Sequence, residues 1–91
     1  MIFLLTPLKP EHDDWALSSY REPVQVIAES EIDARTTATL RFAPEGQQFS
    51  LDAMWGPWMN PELVACRIID APDDRFLTLA ARRSTEARTH P

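Results

Sequence analysis

The segment from Met54 to Pro61 concentrates large apolar side chains where the backbone cannot continue as a regular helix or strand. Its sequence, Met-Trp-Gly-Pro-Trp-Met-Asn-Pro, holds two of the three tryptophans, two of the three methionines and one of the two glycines of the chain. Each proline lacks a backbone N–H and fixes φ, and glycine weakens either kind of element. Such a segment either plugs a small core or presents an apolar surface to a partner.

Both roles have support in the residues of this segment. Burying one aromatic side chain removes roughly 150–250 Å² from water, so two tryptophans would add much to a small core. Trp55 and Trp58 lie three residues apart with Pro57 between them, however, which makes it difficult for both rings to point inward. Tryptophan and methionine are also enriched at protein interfaces. Core packing is therefore favoured for at least one tryptophan, and a partner-binding surface formed by Met54, Trp55, Trp58 and Met59 stays open beside it.

The composition and charge of the chain indicate a single domain and disfavour some classes of partner. Its 91 residues, with 44% hydrophobic and 25% charged side chains, fit one globular domain, which we place at residues 1–81. Fourteen acids against nine bases give a net charge of −5, which disfavours non-specific binding to nucleic acid or anionic lipid. Residues 82–91 hold three arginines against Glu86 and no large apolar side chain, so we expect a basic, flexible tail there.

Few residues in the chain could carry chemistry. His12-Asp13-Asp14 is the only place where a histidine meets carboxylates, but three consecutive residues seldom converge on one ion, and a solvated helix start is favoured. The two glycines are too few for glycine-rich phosphate loops, and no serine lies in a Gly-x-Ser-x-Gly elbow. Cys66 follows an apolar run and is expected to be a buried, reduced thiol. We therefore assign no catalytic residue, no metal site and no cofactor.

One helix is well marked in the sequence. Ser30-Glu31-Ile32-Asp33 has the form of a capping box, and it predicts a helix over about residues 31–43, which Pro44 ends. The packed face of this helix is predicted to carry small residues and one phenylalanine, at Ala34, Ala38 and Phe42. The face toward water is predicted to hold Arg35, Thr37 and Arg41.

Strand patterns complete a small α+β domain. Strands are expected at residues 2–5, 24–28, 64–70 and 75–80, and Trp15 is expected to anchor one short helical turn on the core. The turn-forming residues 71–74 lie between two strand-like runs and predict a C-terminal hairpin. The expected fold is thus a three- or four-stranded, mainly antiparallel sheet with one principal helix packed on one face.

These features favour a small, non-catalytic protein-interaction or accessory domain in the cytoplasm of a bacterium, which binds another protein or itself through residues 54–61. One alternative is a small-ligand binder or enzyme with a pocket between that segment and the helix, using Arg35, Arg67 or His12 as polar contacts. A further alternative is nucleic-acid binding through the arginines of the tail, although the acidic body disfavours nucleic acid as a partner. The apolar start, residues 1–5, is too short to act as a membrane span or signal sequence.

Overall fold

A computed structural model describes residues 1–44 and 56–81 of the chain. The described residues form a small α+β domain, as the sequence predicts. Its regular elements are the strands β1 (Ile2–Pro7), β2 (Val24–Ile27), β3 (Val64–Ile69) and β4 (Leu77–Ala80), the helix α1 (Glu31–Arg41), and short 3₁₀ helices at Asp13–Leu17 and Pro57–Met59. No helix in the described part of the chain is long and apolar enough to span a bilayer. Met54, Trp55 and the predicted tail at 82–91 lie outside the described residues.

The four strands form one mixed sheet in the order β3-β1-β2-β4. Strand β1 lies in the middle and pairs antiparallel with both β2 and β3, while β4 pairs parallel with β2. Phe3 lies between Val26 and Ile68 in this register, and Leu5 lies between Val24 and Cys66. These residues therefore share one face of the sheet, which is the face that α1 covers.

The predicted C-terminal hairpin is wrong. Strands β3 and β4 lie at opposite edges of the sheet, so residues 70–76 are not a tight turn but a connection that crosses from one edge to the other. This crossing segment passes over the face opposite α1, where Gln25 holds it. The side-chain oxygen of Gln25 accepts a hydrogen bond from Asp73 N (2.8 Å), and its Nε2 donates to Asp73 O (2.7 Å) and to Thr78 Oγ1 (2.8 Å).

Helix α1 begins as its sequence predicts, and its small-residue face packs on the sheet as predicted. Ser30 Oγ accepts a hydrogen bond from Asp33 N at 3.2 Å, and Phe42 N donates to Ala38 O at 3.0 Å where the helix ends. Ala34, Ala38 and Phe42 are buried, so the small-residue face lies against the sheet. Small side chains let a helix axis approach the strands closely, and this contact forms the centre of the core.

The prediction that Arg35 faces water is wrong. Only 5% of Arg35 is exposed, because its guanidinium turns under α1 toward the segment that precedes β3. Arg41, on the same helix, is exposed as expected, and Thr37 is partly buried. The difference matters for the site, because Arg35 joins α1 to the Trp58 segment.

Candidate interaction surface

The Pro57–Met59 helix turns Trp58 into the core. Gly56 precedes the helix and Pro57 occupies its first position, where a missing N–H costs nothing because that donor has no partner within the helix. Trp58 is 1% exposed, and its indole Nε1 donates a hydrogen bond to Ser18 Oγ at 2.9 Å. The buried polar atom of the ring is therefore satisfied, and Trp58 acts as a core plug.

An aromatic cluster surrounds Trp58. The Trp15 ring packs edge-to-face against it, with centroids 5.2 Å apart and an interplanar angle of 85°. Phe42 at the end of α1 lies 5.5 Å from the Trp58 ring, and Tyr20 stacks on Phe42 at 4.5 Å. Trp15 is fully buried, which confirms that the short Asp13–Leu17 helix is anchored on the core by its tryptophan. The cluster thus joins three segments that are distant in the sequence.

Arg35 fixes the same segment through the backbone. Its Nη1 donates to Trp58 O and its Nη2 donates to Val64 O, each at 3.0 Å, while Nε donates to Glu31 Oε2 at 2.8 Å. Charge-assisted hydrogen bonds of this kind are stronger than neutral ones. The guanidinium therefore ties α1 to the Pro57–Met59 helix and to the start of β3, and its charge is balanced by Glu31. Glu31 and Arg35 are four residues apart, a spacing typical of a helical ion pair. Nothing in the neighbouring sequence indicates that Arg35 also binds the carbonyl groups of Trp58 and Val64.

The structure separates the residues expected to form a pocket. Arg35 lies on the α1 side of the sheet with its three nitrogens engaged, whereas Arg67 alternates to the opposite face. His12 caps the Asp13–Leu17 helix, where its Nδ1 accepts a hydrogen bond from Asp14 N at 3.1 Å. Within residues 1–44 and 56–81, no group of three or more His, Cys, Asp or Glu side chains is placed to hold a metal ion.

Cys66 lies in β3, partly exposed rather than fully buried. Burial raises the pKa of its thiol, and the negative charge of Glu31 raises the pKa further, against a smaller opposite effect of Arg35. The thiolate is the nucleophilic form, so a raised pKa makes this thiol a poor nucleophile at neutral pH. The thiol is thus less buried than the sequence predicts.

The four residues predicted to bind a partner differ in their burial and in whether the structure describes them. Trp58 is buried and Met59 is partly buried, while Met54 and Trp55 lie outside the described residues. The side chain of Trp58 is thus packed within its own domain.

A second apolar surface lies along the outer edge of β3, and the sequence did not single it out. Helix α1 packs over β1, β2 and β4, and Pro57–Met59 contacts β3, so Ile68 on the helix side of β3 remains 58% exposed. Ile32 is 61% exposed and lies one helical turn before Arg35 on α1. We call Ile32, Glu31, Cys66, Ile68 and the outer backbone of β3 the β3 edge surface. Among the described residues, β3 pairs with β1 alone, so its other edge carries no strand.

Comparison with known protein families, with curated protein sequences and with solved structures gives no significant match to this chain.

Proposed function

We propose that the chain is a small, non-catalytic protein-interaction domain. The observation that carries the proposal is the β3 edge surface, where a six-residue strand has an edge with no strand on it in the described residues and exposes 58% of Ile68. Unpaired N–H and C=O groups along an edge strand form a template for another chain. Exposed apolar side chains beside such an edge supply the contacts that partner binding requires.

Two further features support an interaction role. The face of the sheet opposite α1 also exposes Ile27 to 45%. The segment 54–61 offers Met54, Trp55 and Met59 as additional contacts, whereas Trp58 serves the core. The cytoplasm is the proposed compartment, and a single cysteine without a disulfide suits its reducing conditions.

Affinity capture from the native host tests this function. The bait is the wild-type chain, compared with Ile68→Lys and with Leu8→Lys, which adds the same charge at a residue that is 52% exposed and follows β1. We expect a partner that is retained by wild type and by Leu8→Lys and is lost with Ile68→Lys, while all three proteins unfold at similar temperatures. A Trp55→Ala bait measures how much of the partner binding depends on the segment 54–61.

An empty capture, with no protein enriched by the wild-type bait over the bare resin, would contradict the proposed function. Retention of the partner by Ile68→Lys together with its loss from Trp55→Ala would keep the function but move it from the β3 edge to the segment 54–61.

A further inference from the structure

We draw no further inference here: the strongest candidate, the row of isoleucines formed by Ile69, Ile2 and Ile27 across the sheet face opposite α1, is an apolar face for which nothing in the described part of the structure shows what covers it.

Discussion

At the scale of single residues, Arg35 is the side chain on which the position of Trp58 depends most directly. Arg35→Leu would leave Trp58 O and Val64 O without their donor beneath α1. Each unsatisfied buried acceptor costs roughly 1–3 kcal/mol, so we expect the free energy of unfolding to fall by about 2–5 kcal/mol. Urea denaturation measures this loss. Arg41→Leu, at an exposed position of the same helix, is the control and should change stability by less than about 0.5 kcal/mol.

Arg35→Lys distinguishes charge from geometry in the same experiment. Lysine keeps the positive charge but is a single point donor, whereas arginine presents a planar fork that serves two carbonyl groups and Glu31 at once. A lysine variant as stable as wild type would show that charge balance with Glu31 matters more than the two bonds to the backbone.

Asp73 gives the chain one pH-dependent contribution to stability. The Arg75 side chain donates two hydrogen bonds to Asp73 Oδ2 and one to Oδ1, and the Arg75 backbone N–H donates another to Oδ1. Together these bonds lower the pKa of the carboxyl to about 2. A carboxyl whose pKa is depressed in the folded state stabilises that state at pH values above its unfolded pKa of about 3.9. This stabilisation is lost as the pH falls from about 4 toward 2.

Arg75→Gln should weaken that dependence, because only the backbone N–H of residue 75 would still donate to Asp73 Oδ1. Wild type is expected to be the more stable protein above about pH 4, and the difference in urea midpoint between the two should shrink as the pH approaches about 2. High salt should reduce the difference at pH 7, since the pair is exposed. A difference that stays constant with pH would instead indicate lost contact between Arg75 and the ring of Phe76, which lies 5.3 Å from the guanidinium carbon.

At the scale of elements, Gln25 determines where the crossing segment lies. Gln25→Leu keeps a similar volume but removes the hydrogen bonds to both backbone groups of Asp73 and to Thr78. We expect a loss of about 1–3 kcal/mol in the free energy of unfolding, because Asp73 N loses its partner and Asp73 O keeps only the bond from Phe76 N. Amide exchange should accelerate in residues 70–76 more than in β1.

Thr78→Val is the control for Gln25, because it removes one of these bonds and leaves Asp73 paired. Its expected cost is about 1 kcal/mol, without faster exchange across residues 70–76. Equal effects of the two variants would show that the bond to Thr78, and not the hold on the crossing segment, carries the stabilisation.

Some elements can be predicted from the sequence and others cannot. The difference depends on whether the contacts that fix an element are close together or far apart in the sequence. Helix α1 is predictable because Ser30 and Asp33 form its cap within four residues of sequence. The placement of β4 is not predictable, because turn residues suit both a hairpin and a crossing segment. The choice depends on Gln25, which is 48 residues away from Asp73.

The candidate interaction surface likewise depends on contacts between residues that are far apart in the sequence. The sequence marks Trp58 as important but does not distinguish burial from exposure, since its fate depends on Ser18, 40 residues away, and on Arg35. The exposure of Ile68 results from α1 lying over β1, β2 and β4. Alternation within β3 alone predicts that Ile68 faces the same side as the buried Val64, so only the tertiary arrangement shows it to be a surface residue.

At the scale of the whole molecule, the net charge opposes association between copies of the chain, whereas the open edge of β3 favours it. At pH 7 the charge of −5 makes copies of the chain repel one another, and this repulsion disappears near the isoelectric point of about 4.8. An edge strand with exposed apolar side chains then becomes the natural site of association between copies. We therefore expect light scattering at fixed protein concentration to rise as the pH is lowered from 7 to 4.8.

Ile68→Lys and Leu8→Lys test whether the edge, and not charge alone, controls this association. Both variants add one positive charge, so both move the isoelectric point upward to the same extent, but only Ile68→Lys places that charge beside the unpaired edge of β3. At its own isoelectric point, Leu8→Lys should scatter as strongly as wild type, and Ile68→Lys should scatter less. Equal scattering by both variants would mean that the association at zero net charge does not use the β3 edge, and that the exposed isoleucine there has no effect on contacts between copies.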